Sequence, residues 1–390
     1  MLNSIQETSG GTAPRMPALD GLRGLAILMV LLHTFNPLQG GGFPGREIKI
    51  ALDLGWVGVQ LFFVLSGFLI TGILLDSRGS PGYLRIFLAR RALRIFPLYY
   101  GVLLVAFVVL PAVWPVAAQW RYEYGHQGWL WTYLANWVQA DWPNTRPFAH
   151  FWSLCVEEQF YLVWPLLLYR MKPARVLQVS VMLMMISPVV RALMVWEGAN
   201  PEAIYMSTIC RMDALAAGAM GAALLRIPGA RHSLTAFIDG ALWVSAAALA
   251  AGALFTHVYE RLLPLTQVMG YSLFAMVFGI LVLKCAMTTA PDRVWLHPLR
   301  SRLLGSVGRY SYAMYIFGPI MEKTIGSRIL QGGFRGPDAA WMPGLAYCLC
   351  MTLLAFFCGW ISFHALERHF LGLKARFARP ARLDALLRTG

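Results

Sequence analysis

The chain has 390 residues, of which 58% are hydrophobic and only 13% charged, whereas water-soluble domains carry about 25% charged residues. That balance excludes an ordinary globular domain in water. The formal net charge is +14, but the Lys and Arg residues sit between long apolar runs and not on one basic face, so the charge reads as membrane topology and a nucleic-acid partner is excluded.

Residues 1–17 are polar and hold Gly and Pro, which predicts a short cytoplasmic N-terminal segment. The apolar run that follows lacks a small-residue cleavage site, so it is expected to remain as a span and not to be removed as a signal peptide. Because a helix needs about 20 mostly apolar residues to cross the hydrocarbon, spans are predicted near 18–37, 52–76, 95–117, 153–170, 176–196, 206–225, 236–256, 264–286, 305–325 and 342–366. The segment 128–140, GWLWTYLANWVQA, is short and Trp-rich, which suits a helix lying in the interface.

The fold class is therefore all-α: a polytopic membrane helical bundle of about ten transmembrane helices with both termini cytoplasmic. In that orientation the outer segments hold only Arg46, Lys49, Arg121, Arg146, Arg261, Arg328 and Arg335, as the positive-inside rule requires. A cytoplasmic (inner) membrane, multi-pass location follows. The transmembrane domain is assigned to 18–366, and the basic, amphipathic tail 367–390 is expected to lie along the inner membrane surface. No repeat, disulfide framework or metal-ligand spacing is visible, and Cys155, Cys210, Cys285, Cys348, Cys350 and Cys358 fall in or beside apolar segments.

Ionisable groups inside spans cost a few kcal/mol each on insertion scales, so each is a functional candidate. The first span places Arg23 near its inner end and His33 near its outer end, about 15 Å apart along the axis. Taken singly, Arg23 could be an anchor paired with Asp20, and His33 a hydrogen-bonded interface residue. The cluster RIFLARRALR, 85–94, puts Arg91 and Arg94 on one face beside Arg90, a guanidinium set able to grip phosphate, although topology alone would also place arginines there. In HFWSLCVEEQFYLVWP, His150, Ser153, Glu157 and Tyr161 form one helical stripe, and the adjacent acids Glu157 and Glu158 enter the membrane near its outer surface. Snorkelling or pairing with an outer arginine is the competing account of the two acids.

These motifs resemble the integral-membrane acyltransferase 3 family, whose members acylate cell-surface polysaccharides, peptidoglycan, lipid-linked sugars and some macrolides. The resemblance runs from residue 18 to about 377 through LDGLRGLAIL with His33, GWVGVQLFFVLSGFLIT, RRALRIFPLYY, HFWSLCVEEQFYLVWP, RMDALAAG, SYAMYI and the late Glu367-Arg368 pair. It implies catalytic roles for His33, Glu157, Glu158 and Arg23, with His33 the base. It implies that Arg90, Arg91 and Arg94 hold the phosphates of acyl-CoA, a donor substrate; no cofactor is expected to be bound permanently. His150, Ser153 and Tyr161 are expected to contact substrate.

Three positions depart from the family pattern. Arg23 and His33 have nine residues between them, one fewer than usual, and ten steps of a regular helix leave two side chains about 80° apart. Either the helix is distorted, or the two residues do not face one cavity. Gln60 stands where the family has an aspartate, and YIFGP at 315–319 lacks the usual histidine.

The implied reaction is direct transfer of an acetyl or other acyl group from cytoplasmic acyl-CoA to a hydroxyl of an extracytoplasmic sugar, on a surface polysaccharide or glycolipid. The alternatives are a macrolide or small-glycoside O-acyltransferase, and a non-enzymatic transporter in which the acids and His33 relay protons. A covalent route through Ser153, Cys155 or Ser66 ranks lower, because no elbow motif presents Ser153 and Ser66 lies in a small-residue stretch suited to close helix packing.

Overall fold

The structure, a computed structural model, describes residues 16–38, 43–113, 121–138, 146–255, 259–288, 296–331 and 341–377. Nearly all of the predicted N-terminal segment, the last thirteen residues of the predicted tail, part of the longest outer loop and Arg335 lie outside them. Among the described residues the chain is 86% helix with no strands.

The helices are α1 (Pro17–Thr34), α2 (Gly45–Asp53), α3 (Val57–Asp76), α4 (Tyr83–Leu104), α5 (Leu110–Val113), α6 (Arg121–Trp131), α7 (Trp152–Leu168) and α8 (Pro173–Trp196). They continue with α9 (Pro201–Met206), α10 (Thr208–Leu224), α11 (Ala230–Phe255), α12 (Tyr271–Met287), α13 (Arg302–Met321), α14 (Ser327–Gln331), α15 (Trp341–Ser362) and α16 (Arg368–Gly372).

Seven helical stretches among the described residues are long and apolar enough to cross a membrane, which makes this a multi-pass membrane protein. Three further predicted runs also fold as helices, but α7 and α10 have only 17 residues each, and α13, with 20 residues, falls short in composition. The segment 128–140 differs from expectation: its helix starts earlier, at Arg121, and stops at Trp131. Tyr99 and Tyr100 donate their hydroxyls to the carbonyls of Leu130 and Trp131, at 2.7 and 3.2 Å, and so clasp that end.

α3 is the axle of the bundle. Its most apolar stretch is 83% buried, against 17% for α8, whose Met182, Met185, Val189 and Leu193 face outward. In lipid there is little hydrophobic drive between helices, so close approach through small residues does the packing. Gly67 of α3 lies on the Leu215 backbone of α10, and Gly218 of α10 lies on the Val64 backbone of α3, so a Cβ at either position would collide with main chain. α1 packs on α3 and α13, and α7 packs against α3 and α4.

Buried polar groups supply the rest of the cohesion. Arg191 of α8 and Asp213 of α10 form an ion pair of 2.9 Å with both side chains fully buried. Ser272 of α12 donates to the same carboxylate at 2.7 Å and accepts from Arg191 at 2.6 Å. Three helices are thereby tied at one point in the apolar interior, where an unpaired charge would cost several kcal/mol.

After α15 the described part of the chain passes through α16 and a short turn, Leu373–Phe377, and packs back on α4.

Candidate active site

Five helices meet around a cavity of about 110 Å³, several times the room one water needs. Arg23 enters from α1, Ser66 from α3, Arg91 and Arg94 from α4, and Ser153, Glu157, Glu158 and Tyr161 from α7, while Tyr312 and Tyr315 of α13 close the far side. Helical spacing explains the α7 set, since residues four apart stack on one face.

The hydroxyls of Ser66 and Tyr161 are 2.5 Å apart, and the Arg91 guanidinium lies 5.5 Å from the Tyr161 ring centroid. Neither Arg91 nor Arg94 makes a hydrogen bond or an ion pair among the described residues. Oε1 of Glu158 is buried without a hydrogen-bond partner among the described residues. Arg23 has Asp20 at 3.8 Å. Partly buried cations and an unpartnered carboxylate oxygen around an open volume are what a charged ligand site requires, because burial of such groups is otherwise unfavourable.

Of the predicted stripe, Ser153, Glu157 and Tyr161 reach the cavity, whereas His150 does not. His150 sits in the turn Ala149–Phe151 ahead of α7, with its Nε2 3.1 Å from the Ile316 carbonyl. Its own carbonyl oxygen lies 3.2 Å from the Ser153 hydroxyl and 3.0 Å from that of Tyr315. Ser153 and Tyr315 are 2.5 Å apart.

α1 is a regular helix throughout, so of the two possibilities raised by the Arg23–His33 spacing the second holds: the residues do not face one cavity. Arg23 lines the cavity and His33 does not. His33 sits beside Leu52, Asp53 and Gly55, with Arg261 a further charged neighbour. Its Nδ1 is buried with no hydrogen-bond partner among the described residues. The Asp53 carboxylate accepts from Asn36 at 2.8 Å and pairs with Lys49.

Gln60 uses both ends of its amide. It donates to the Tyr271 carbonyl at 2.8 Å and accepts from Arg211 at 3.0 Å. Arg211 is held between the rings of Tyr205 and Tyr271, 4.2 and 4.0 Å from their centroids. The rings favour the cation where no carboxylate stands at position 60.

A second cavity, of about 180 Å³, is lined by Ser77, Ser80, Tyr83, Phe87, Arg90, Arg91, Arg94 and Lys374. It shares Arg91 and Arg94 with the first. All three predicted arginines therefore line a basic pocket, and two of them also border the chamber holding Glu157.

Sequence reasoning ranked Ser66 low and missed Lys374, Tyr312 and Tyr315 as lining residues. The SYAMYI motif was the available signal for the tyrosines; the tail gave no periodic signal of its return to α4.

An all-helical membrane bundle with buried arginines and carboxylates around paired cavities is the architecture in hand. The acyltransferase-domain family matches residues 16–363, and the chain belongs to that family. YrhL of Bacillus subtilis (strain 168) is 32% identical over 221 residues, covering 52% of this chain and 32% of that protein. The peptidoglycan O-acetyltransferase OatA of Listeria monocytogenes serovar 1/2a is 29% identical over 229 residues, covering 55% of this chain and 35% of its own. The O-acetyltransferase OatA of Staphylococcus aureus (strain NCTC 8325 / PS 47) is 30% identical over 221 residues, covering 53% and 34%. The match thus takes in about a third of the length of each of these relatives. No solved structure matches the chain significantly.

Proposed function

We propose that the protein is a membrane O-acyltransferase that moves an acyl group, of acetyl size, from acyl-CoA to a sugar hydroxyl. One observation carries this reading: Arg91 and Arg94 border both a basic pocket and the cavity holding Glu157. Phosphates on the arginines would place the thioester of an extended donor beside the carboxylate. The names of the relatives support acetyl as the group and a cell-wall glycan such as peptidoglycan as the acceptor.

In the proposed step the acceptor oxygen attacks the thioester carbonyl carbon, a C–O bond forms, and the C–S bond breaks. The acceptor proton passes to the Glu157 carboxylate, the base nearest the acyl position, and then to the departing CoA sulfur. Arg23 and the Ser66–Tyr161 hydroxyl pair are the donors available to the oxyanion. Glu158 offers its unpartnered oxygen to the acceptor. His33, beside Asp53, receives the acceptor at the opposite end of α1, and catalysis requires that end to open toward the cavity.

The orientation that fits has about ten spans, the arginine pocket and both termini on the cytoplasmic side, and the His33 end outside, in the cytoplasmic membrane. Isothermal titration of the purified protein with acetyl-CoA tests the donor: saturable micromolar binding is expected, and its absence favours a proton-coupled transporter.

A further inference from the structure

From the turn Leu373–Phe377, Lys374 lines the basic pocket. Nη1 of Arg90 donates to the Phe377 carbonyl at 3.0 Å, which pins the returning segment to α4. Lys374 then faces Arg90, Arg91 and Arg94 across the pocket, with the Ser77, Ser80 and Tyr83 side chains beside them.

Lys374 is half-buried and has no hydrogen bond or ion pair among the described residues. The largest charge effects on it come from the cations Arg94, Arg91, Arg90 and Arg23. Glu367, the acid preceding this segment, accepts from Ser362 at 3.2 Å and has Arg94 as its charged neighbour. Four cations converging on one pocket repel one another unless an anion joins them. Glu157, Glu158 and Glu367 offset part of the charge on Arg91 and Arg94, and a fourth cation on the pocket suits a ligand of high negative charge.

We propose that Lys374 is a direct ligand of the donor's phosphate groups, closing the pocket from the side opposite Arg91 and Arg94, and that Arg90 is a positioning residue that pins the segment carrying it. The proposal rests on the acyl-CoA reading above. Bilayer phospholipid headgroups share the phosphate chemistry. The nucleotide source is favoured because the pocket continues, through Arg91 and Arg94, into the cavity with Glu157.

The test is CoA binding by the full chain in nanodiscs of phosphatidylcholine alone, and again with phosphatidylglycerol added. Lys374→Ala should weaken CoA binding about 10-fold or more, the size of one charge-assisted phosphate contact, without lowering kcat at saturating donor. Lys374→Arg should restore most of the affinity, which separates ligation from a folding defect. Arg376→Ala removes an exposed charge from the same turn, outside the pocket, and should leave affinity unchanged. If wild-type protein binds CoA and Lys374→Ala binds it equally well, the role of Lys374 is overturned while the donor reading stands. If wild-type protein binds no CoA, both fall. A loss confined to discs containing phosphatidylglycerol assigns the pocket to lipid headgroups and contradicts the proposal.

Discussion

Arg23 and His33 stand on one unbroken helix but in different surroundings: Arg23 lines the cavity with Glu157, while His33 lies beside Leu52 and Asp53. In the proposed reaction, donor chemistry and acceptor capture fall at opposite ends of α1. Replacing His33 with Ala should raise the acceptor KM and lower transfer, yet leave CoA affinity within about twofold, a change too small to count as a lost contact. An equal loss of donor binding would mean that His33 serves the donor end.

Glu157→Gln keeps the shape of the side chain and removes its capacity to take a proton. Transfer should fall by about 100-fold or more at saturating substrates, the usual scale for a general base, with CoA binding intact. Near-wild-type kcat in this variant would exclude Glu157 as the proton acceptor.

Arg91→Lys and Arg94→Lys keep the charge but lose the planar fork. Each should weaken CoA binding about 10-fold if phosphate is held in a bidentate way. Titration of the two variants beside wild-type protein decides it; unchanged affinity would make the arginines topology anchors.

The Arg191–Asp213 pair concerns stability. Asp213→Asn leaves Arg191 buried without its counter-ion and should cost about 3–5 kcal/mol. The double change Arg191→Met with Asp213→Leu should recover much of that loss. Thermal unfolding in detergent, followed by the monodisperse fraction, reads both; a double variant no better than the single would place the penalty elsewhere.

How much of this was legible in the sequence depends on the kind of force. The apolar runs gave the helices, because lipid obliges every backbone group to bond within its own segment. Helical spacing also put Ser153, Glu157 and Tyr161 on one face, and it left the divergence of Arg23 from His33 as one of two possibilities. Contacts between distant segments were not legible. The return of Lys374 to α4 rests on contacts between segments far apart in the chain, the bond from Arg90 to the Phe377 carbonyl among them, which no periodicity encodes. Ser66 appeared to be packing material because Gly67 beside it truly is packed against Leu215; a neighbouring residue on another face of α3 meets the cavity instead. His150 was counted with the α7 stripe, but the chain is still in a turn at that point.

The most direct measurement uses proteoliposomes with the protein inserted, radiolabelled acetyl-CoA on the side of the arginine pocket, and a soluble peptidoglycan fragment on the other. Label should appear on the fragment as an O-acetyl ester, removable by mild base, with wild-type protein and not with Glu157→Gln. Label on the fragment at the same rate from both proteins, or no labelled ester with wild-type protein that binds acetyl-CoA, would contradict the account.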